Sequence, residues 1–247
     1  WIKFNIDGSV NKKASYSALR SMMKGKGIVI PGFYGTMPDG TIRTFSRGGS
    51  DITGALAAAA LDADVYENWT DVSGILMADP RIVDDPLPIP EVTYDELREL
   101  SYSGANVLHE GSIFPVREKN IPLNIRNTND PTHPGTMIKE SFDTDADPER
   151  FITGITGKKD FSIISMSKRG MGGAVGVLRK MLSVLEQHNI SVDYVPNGID
   201  NVSVVMSTES LGNNVYTILS EIQAACEPDT LEVHDKIAVI AAVGRRM

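Results

Sequence analysis

The sequence predicts a two-domain α/β protein: a layered α/β domain with a mostly parallel sheet, then a ferredoxin-like β-α-β-β-α-β domain. In the first part of the chain, short apolar runs alternate with helical patterns, which is typical of strands and helices packed in layers. In the last hundred residues, strand-like runs flank two helical stretches in the order of the ferredoxin-like split unit. Turn and linker compositions at 128–135 and 143–148 separate the two patterns.

The first domain is assigned to residues 1–138. Alanine-rich residues after Gly49 favour a helix, for which Ser50 is a good N-cap, and Thr93 with Glu96 forms a capping box that starts another helix. In chain order, the predicted elements are a strand at 28–30, a hairpin at 35–43 turning on 38–40, a helix from 50 to about 63, a strand at 65–69, helices at 93–103 and 112–119, and a strand at 122–126.

The second domain is assigned to residues 150–234, and residues 235–247 are expected to begin a second, truncated unit of the same kind. Apolar residues of 173–188 recur at helical spacing, which indicates a helix lying on a sheet. The predicted elements are strands at 151–156, 161–166, 191–195, 200–206 and 235–243, turns at 158–160 and 196–198, and helices at 173–188 and 213–225. Because the chain starts with Trp1 and stops just after a strand, we expect sequence to be missing on both sides.

Composition excludes several classes of function. The net charge of −8 and the pI of about 5.0 disfavour a partner with a phosphate backbone or an anionic membrane surface. No stretch approaches the roughly 20 apolar residues of a membrane span. The four histidines are not at metal-ligand spacing, so we expect no structural metal. One cysteine, Cys226, cannot form an internal disulfide, which fits a reducing cytoplasm.

The stretch FSRGGSD at 45–51, just before the alanine-rich helix, is the first candidate site. Glycines allow a ligand to approach the backbone, and free N–H groups at a helix N-terminus attract an anion. Arg47 can hold a carboxylate through a bidentate fork, and Ser50 and Asp51 add a hydroxyl and a charge. A helix cap with a surface Arg47–Asp51 pair explains the residues equally well, and the phosphate-loop pattern GxxxxGK[ST] is absent.

The second candidate site is WTDVSGILMADPR at 69–81, at the carboxyl end of a predicted strand, where α/β sheets bind ligands. Asp71 can accept from an amino group or a ribose, and Arg81 can neutralise phosphate oxygens. A turn followed by an Asp-Pro helix start is the alternative. Together, the two clusters favour a phosphotransferase that uses a Mg²⁺-nucleotide.

Seven motifs make the chain resemble the aspartate kinases. They are GFYG at 32–35, SRGGSD at 46–51, WTDVSG at 69–74, ADPR at 78–81, LSY at 100–102, GANVLH at 104–109 and IPLNIRNT at 121–128. The β-α-β-β-α-β stretch resembles the ACT regulatory domains attached to these enzymes. The resemblance implies that residues 1–138 are the C-terminal half of an amino-acid-kinase domain. It also implies phosphorylation of the L-aspartate side-chain carboxylate by ATP with Mg²⁺, the entry to lysine, threonine and methionine synthesis.

The resemblance also implies roles for individual residues. Phe33, Arg47 and Ser50 would contact aspartate, and Asp51 would hold the catalytic lysine or the substrate amino group. Thr70, Asp71 and Leu76 would face the nucleoside, and Arg81 the phosphates. Many family members have lysine at the position of Asn106 and proline at that of Glu110. The family's Lys-Phe-Gly-Gly strand would lie upstream of Trp1, so we expect the isolated chain to lack activity.

In the second domain the resemblance implies a feedback amino acid and a homodimer through ACT domains. An acidic side chain suits lysine in preference to threonine as this effector. The candidate effector residues are Met171, Gly173, Val177, Asp193, Pro196, Gly198 and Asp200. Asp193 suits an amino group and the N–H groups near Met171 to Val175 suit a carboxylate, although Asp193 also fits a plain strand end. Two other functions stay open: another amino-acid kinase of the same fold, or a non-catalytic regulatory subunit that binds amino acids.

Overall fold

A computed structural model describes residues 1–23, 25, 27–105, 108, 110–142 and 151–245. The chain divides into two compact units, one of Trp1–Thr156 with Ala241–Met247 and one of Gly157–Ile240. Asn106, His109 and the linker composition at 143–148 lie outside the described residues. No helix in the described part of the chain is both long enough and apolar enough to cross a membrane.

The chain forms seven α-helices and eleven strands within the described residues. The helices are α1 (Lys12–Met22), α2 (Gly49–Leu61), α3 (Tyr94–Tyr102), α4 (Glu110–Arg117), α5 (Val177–Gln187), α6 (Thr208–Leu211) and α7 (Val215–Cys226). The strands are β1 (Tyr34–Thr36), β2 (Ile42–Thr44), β3 (Tyr66–Thr70), β4 (Ile75–Leu76), β5 (Pro88–Ile89), β6 (Glu91–Thr93), β7 (Leu123–Asn127), β8 (Thr136–Lys139), β9 (Ile152–Ser167), β10 (Asn201–Ser207) and β11 (Thr230–Gly244).

The first unit is built on a four-stranded sheet in the order β3-β7-β8-β6. β3 runs parallel to β7 and β6 runs parallel to β8, whereas β7 and β8 are antiparallel. Two small antiparallel pairs, β1-β2 and β4-β5, lie outside this sheet. The core beneath the sheet contains Leu97, Leu123 and Ile138, which are fully buried. This arrangement confirms the predicted layered α/β class, with one antiparallel pairing in the sheet.

Helix α2 explains the alanine-rich sequence. It packs against α1 and α4, and Ala55, Ala59 and Ala60 are fully buried. Small side chains let neighbouring helices approach closely while keeping a high helix propensity. The predicted N-cap is wrong: Gly48, with φ of +61°, occupies that position, and the helix begins at Gly49. Ser50 therefore lies inside the first turn rather than before it.

Helix α3 begins as the sequence predicts. Thr93 Oγ1 accepts a hydrogen bond of 3.2 Å from the Glu96 N–H, and the Glu96 carboxylate accepts one of 2.7 Å from the Thr93 N–H. These reciprocal bonds are the capping box, which satisfies two N–H groups that a helix start otherwise leaves without partners.

Several predicted elements are wrong. Residues 28–30 form no strand, and Val29 is fully exposed. Residues 158–160 are not a turn, because β9 continues through them with Asp160 at φ of +67°. Strand β8 was not predicted, because its polar, proline-rich surroundings read as a linker. In each case the local composition is outweighed by pairing with a distant part of the chain, or by the lack of such pairing.

The second unit contains a sheet in the order β10-β9-β11. β10 pairs antiparallel with β9, in a register that places Asn201 opposite Ser167. The strand predicted at 191–195 is reduced to isolated bridges, Tyr194 with Val205 and Asn197 with Val202. With these bridges as the second strand, the element order is the predicted β-α-β-β-α-β.

The helices of the second unit cover one face of its sheet. Met181, Leu185, Ile218 and Ile222 are fully buried in the core that α5 and α7 share with the strands. Helix α5 begins at Val177 rather than at 173, because Gly176 takes the left-handed conformation and Met171–Gly173 form a 3-10 turn. Residues 235–240 belong to the same strand as 230–234. The division of 1–138, 150–234 and 235–247 stays a prediction.

Candidate functional site

The N-terminus of α2 holds the loop that carries Phe33. Thr53 Oγ1 accepts a hydrogen bond of 3.0 Å from the Phe33 N–H and donates one of 2.6 Å to the Gly49 carbonyl. A Cβ at Gly49 would lie 2.9 Å from Phe33 Cα, so only glycine permits this approach. Phe33 has a φ of +65° and an exposed ring. The loop is therefore fixed while the Phe33 ring faces solvent, where a ligand can reach it.

Asp51, in the first turn of α2, is held by strand β3. Asn68 Nδ2 donates a hydrogen bond of 3.2 Å to Asp51 Oδ1, and Tyr66 Oη donates one of 3.2 Å to the Asp51 carbonyl. Burial and the nearby Asp51 charge raise the pKa of Tyr66 to about 12, so Tyr66 stays a neutral donor. Asp51 is therefore oriented by two polar side chains that the sequence analysis did not identify.

Arg47 and Ser50 are exposed at the same corner. The ion pairs and hydrogen bonds of the described residues include none made by the Arg47 side chain. The Arg47–Asp51 surface pair, which the helix-cap alternative requires, is therefore not formed. An unpaired guanidinium beside a helix N-terminus can take a carboxylate through two parallel hydrogen bonds.

The predicted nucleotide residues Thr70 and Asp71 lie at the carboxyl end of β3. Thr70 Oγ1 donates a hydrogen bond of 3.1 Å to Asp71 Oδ1. The Thr70 carbonyl accepts from both the N–H and the hydroxyl of Thr128, each at 2.8 Å. The ends of the parallel strands β3 and β7 are thus tied together, at the edge where α/β sheets bind ligands.

Leu76 ends the short strand β4, whose position Thr136 fixes. Thr136 Oγ1 accepts a hydrogen bond of 2.8 Å from the Ile75 N–H and donates one of 2.5 Å to the Ile89 carbonyl. Gly74 has a φ of +102°, and a Cβ there would lie 2.5 Å from Thr136 Oγ1. Leu76 itself pairs with Pro88 and is partly exposed. Its side chain is available to a ligand on a short strand that has little freedom to move.

Arg81 forms an ion pair with Asp79. Its Nε lies 3.0 Å from Asp79 Oδ1 and its Nη2 lies 2.6 Å from Asp79 Oδ2, which is a bidentate contact. Hydrogen bonds from Arg81 lower the pKa of Asp79 to about 2. The Arg81 side chain is 86% exposed. A phosphate that binds Arg81 must therefore displace the Asp79 carboxylate or bind the Arg81 guanidinium together with it.

The structure brings the predicted site residues together in groups. Phe33 packs against the first turn of α2, which contains Asp51, and Thr70 contacts Asp71 at the end of β3. Sequence reasoning missed Asn68, although the alternation of a strand places it on the same face as Tyr66 and Thr70. Thr53 and Thr136 gave no signal, because the bond of Thr53 to Phe33 and both bonds of Thr136 join residues that are distant in sequence.

The candidate effector residues lie mostly in two neighbouring loops of the second unit. Asp200 Oδ1 accepts hydrogen bonds from the N–H groups of Gly170 and Met171, at 2.9 and 3.2 Å. The N–H groups of Gly173 and Ala174 bond within their own turn, so the amides of Met171, Gly173 and Ala174 all have partners. Val177 is buried at the start of α5.

Pro196 and Gly198 lie in the second of these loops. The Pro196 carbonyl accepts from the Ser203 N–H, and the Gly198 N–H donates to the Asn201 carbonyl, at 2.8 and 2.9 Å. Asp193 donates its N–H to the Val205 carbonyl at 2.8 Å. These bonds fix the backbone of the loop, and the effector roles of the residues stay predictions.

The donor set bears on metal binding. Among the described residues, no group of three or more His, Cys, Asp or Glu side chains is placed to hold a metal ion. Mg²⁺ that arrives with a nucleotide is bound mostly by phosphates and water, with one or two carboxylates from the protein. Asp71, exposed at the end of β3, is a carboxylate of the kind that this arrangement requires.

The fold and the site define an amino-acid-kinase type of α/β domain, and the sequence agrees. Residues 3–127 match the model of the amino acid kinase family. The chain therefore belongs to the amino acid kinase family. It is 36% identical over 235 residues to aspartokinase 3 of Bacillus subtilis, an alignment covering 94% of this chain and 51% of that protein.

Solved structures give the same result. The Clostridium acetobutylicum aspartate kinase is 47% identical with a TM-score of 0.85, over 98% of this chain and 56% of that one. E. coli aspartokinase III, in complex with lysine and aspartate, is 29% identical with a TM-score of 0.72, over 98% and 55%. The same enzyme in complex with aspartate and ADP is 27% identical with a TM-score of 0.67, over 98% and 56%. The chain thus spans about half the length of these relatives.

Proposed function

We propose that the protein is an aspartate kinase, which transfers the γ-phosphoryl group of ATP to the side-chain carboxylate of L-aspartate. The observation that carries the proposal is the unpaired Arg47 beside an Asp51 oriented by Asn68, at the N-terminus of α2. One cation and one fixed anion at a helix start match the two charged groups of an amino-acid substrate. The similarity to aspartokinases supports aspartate as the amino acid.

In this proposal each residue positions a reactant. Arg47 binds the α-carboxylate of aspartate, Asp51 accepts from its ammonium group, and the Phe33 ring covers the bound substrate. Ser50 donates a hydroxyl hydrogen bond at the first turn of α2. Formation of an acyl phosphate requires alignment and charge neutralisation more than covalent chemistry from the protein.

Thr70, Asp71 and Leu76 take the nucleoside, and Arg81 takes the phosphates after leaving Asp79. When the nucleotide binds, its phosphates replace the Asp79 carboxylate as the partner of Arg81, because the phosphates carry the higher negative charge. ATP would bring Mg²⁺, which neutralises charge on the transferred phosphoryl group. ADP bound to the E. coli relative supports the use of an adenine nucleotide.

Calorimetric titration of the 247-residue chain tests the proposal. L-aspartate and ADP are each expected to bind, and L-glutamate is expected to bind more weakly than L-aspartate. Arg47→Met is expected to lower the affinity for L-aspartate by about tenfold or more, because a charged hydrogen bond is lost. Arg43→Met, an exposed arginine on β2, is the control. Equal affinity for aspartate in both variants would refute the assigned role of Arg47, and equal affinity for L-glutamate would favour another amino-acid kinase.

We also propose feedback control by lysine through the second unit. The loops around Met171 and Asp200 are fixed by their own hydrogen bonds, and Asp193 lies on the neighbouring segment. The E. coli relative bound to lysine supports an amino-acid effector. Lysine is expected to release more heat than threonine on titration. Asp193→Asn is expected to lower the affinity for lysine. Heat from threonine alone would contradict the choice of lysine.

Pairing of two copies through the second unit is the further part of the proposal. A groove of about 870 Å³ runs along α5 and beside residues 189–192, with Leu178 and Leu182 in its wall. An apolar groove of this kind favours binding of a second copy of the chain. We place the protein in the cytoplasm, where the unpaired Cys226 stays reduced. Analytical ultracentrifugation is expected to show a dimer that Leu178→Lys weakens.

A further inference from the structure

A buried carboxylate away from the predicted site joins α3 to strand β9. The Glu96 side chain, 7% exposed, lies in the first turn of α3. It accepts hydrogen bonds from Thr153 Oγ1 at 2.5 Å and from the Thr93 N–H at 2.7 Å. Burial alone would raise the pKa of the Glu96 carboxyl, but the bonds from Thr153 and Thr93 outweigh it and hold the pKa below its ordinary value.

Arg245, just after strand β11, completes the contacts of this carboxylate. Its Nε lies 3.0 and 3.2 Å from the two Glu96 oxygens, and its Nη2 donates to the Glu91 carbonyl at 3.1 Å. The Arg245 guanidinium also lies 5.1 Å from the centre of the Phe142 ring. The hydrogen-bond partners of the carboxylate in the described structure, the Thr93 N–H, the Thr153 hydroxyl and Arg245 Nε, all donate, so an ionised carboxylate accepts from all of them.

The start of β9 lies along the whole length of α3. Thr153 bonds to Glu96 in the first turn, and Thr156 Oγ1 donates to the Ser103 carbonyl at the C-terminus at 3.3 Å. Between them, a Cβ at Gly154 would lie 3.0 Å from Leu100 Cδ2. The first residues of β9 are therefore held at Thr153 and at Thr156, and they pack closely against the helix between these two points.

The same residues of β9 hold the segment that carries the proposed nucleotide contacts. The Ile155 N–H donates a hydrogen bond of 2.7 Å to the Met77 carbonyl. Met77 follows Leu76 directly and precedes Arg81 by four residues. Besides the bond from the Ile75 N–H to Thr136, the position of the 76–81 segment therefore depends on where β9 lies, and β9 is placed by α3.

We propose that Glu96 is a positioning residue for the nucleotide site, acting through Thr153, Ile155 and the Met77 carbonyl. Its carboxylate anchors the start of β9 on α3, and the anchored strand holds the segment 76–81, which presents Leu76 and Arg81. The inference rests on the proposed nucleotide binding by this segment. Glu96 acts through other residues and has no contact of its own with the nucleotide.

Three matched variants of the 247-residue chain test this role. Thr153→Val removes the hydroxyl that bonds to Glu96 and keeps the shape of the side chain, whereas Thr153→Ser keeps the hydroxyl. Thr93→Ala removes the N-cap hydroxyl of α3 but leaves the Glu96–Thr153 bond in place. Amide hydrogen exchange of residues 75–81 and the affinities for ADP and L-aspartate are measured for all three.

Thr153→Val is expected to speed amide exchange of residues 75–81 by about tenfold, because a charge-assisted hydrogen bond is lost. The same variant is expected to lower the affinity for ADP by about threefold to tenfold. Thr153→Ser is expected to restore both values, and L-aspartate affinity is expected to stay unchanged throughout. Thr93→Ala removes one bond at the helix start but keeps the bonds of Glu96 to Thr153 and Arg245, so residues 75–81 are expected to exchange much more slowly than in Thr153→Val.

Two results would overturn the inference: unchanged exchange of residues 75–81 in Thr153→Val, or equal acceleration in Thr153→Val and Thr93→Ala. The second result would mean that Glu96 and its neighbours only stabilise the fold. Failure of the wild-type chain to bind ADP would instead refute the proposed nucleotide site. The exchange measurements would still decide whether Glu96 and Thr153 hold the 76–81 segment.

Discussion

Asn68 Nδ2 lies 3.2 Å from Asp51 Oδ1, which joins strand β3 to the first turn of α2. Asn68 is 8% exposed, so its amide has little access to water and keeps Asp51 as a partner. The carboxylate of Asp51 is therefore held in one orientation beside the exposed Arg47. This fixed anion is the part of the site on which the first prediction depends.

Asp51→Asn is expected to weaken L-aspartate by about tenfold or more, because the substrate ammonium group loses a charged acceptor. Stability is expected to fall by no more than about 1 kcal/mol, since the asparagine oxygen still accepts from Asn68 and only the helix-dipole interaction is lost. Titration calorimetry and urea unfolding measure the two effects. Asp64→Asn, at an exposed position, is the matched control. Unchanged aspartate affinity in Asp51→Asn would argue against the role of Asp51.

The ion pair between Asp79 and Arg81 predicts that one substitution strengthens ligand binding instead of weakening it. Asp79→Asn is expected to strengthen ADP binding by about twofold to fivefold, because an exposed ion pair that competes with the phosphates is worth only about 0.2–1 kcal/mol. Arg81→Met is expected to weaken ADP. Asp84→Asn changes the net charge equally and lies on the same exposed loop, so it controls for long-range electrostatics. Equal gains in Asp79→Asn and Asp84→Asn would contradict a direct competition.

The sequence was sufficient where local chemistry decides the structure. The alanine-rich helix α2, apart from its N-cap, and the capping box of α3 form as predicted, because propensity and side-chain caps act within a few residues. Helix α5 has a sequence-readable apolar stripe, with Met181 and Leu185 fully buried. Of the candidate site, the motif around Arg47 and Asp51 could be found in the same way.

Long-range pairing could not be predicted. The run Ile-Val-Ile at 28–30 has strand composition but no strand partner in the described structure, so it stays outside the sheets. Strand β8 has the composition of a linker but is ordered between β7 and β6. Asn68 and Thr136 acquire their roles from residues that are distant in sequence. A single sequence contains no signal for such contacts.

The contact between Gly49 and Phe33 makes a prediction about packing. In a helix, alanine is favoured over glycine by about 1 kcal/mol. Gly49→Ala is nevertheless expected to destabilise the chain by about 1–3 kcal/mol, because the new Cβ would lie 2.9 Å from Phe33 Cα. Aspartate affinity is expected to fall with it, as Phe33 is displaced. Gly27→Ala, where no atom lies within 4 Å, is the control. A more stable Gly49→Ala would show that the Phe33 loop adapts freely.

The Glu96 carboxylate predicts how stability depends on pH. Its pKa is lowered in the folded chain, so its contribution is fully present above the ordinary glutamate pKa of about 4.3. The contribution is lost as the pH falls through the lower, folded-state pKa, because the folded chain then holds a protonated group among donors. At pH 7, Glu96→Gln is expected to lower the free energy of unfolding by about 1–3 kcal/mol, since an amide cannot accept from every donor around it.

Urea unfolding of wild type and Glu96→Gln at several pH values measures this difference, which is expected to shrink as the pH drops below about 4. Glu118→Gln is the matched control, because Glu118 pairs with Lys12 at 2.7 Å on the exposed surface. Such a pair contributes about 1 kcal/mol or less, with little change across the same pH range. A difference between wild type and Glu96→Gln that stays constant down to pH values near 3 would mean that the charge of Glu96 is not what stabilises the fold. The bonds to Thr153 and Arg245 would then matter only for their geometry.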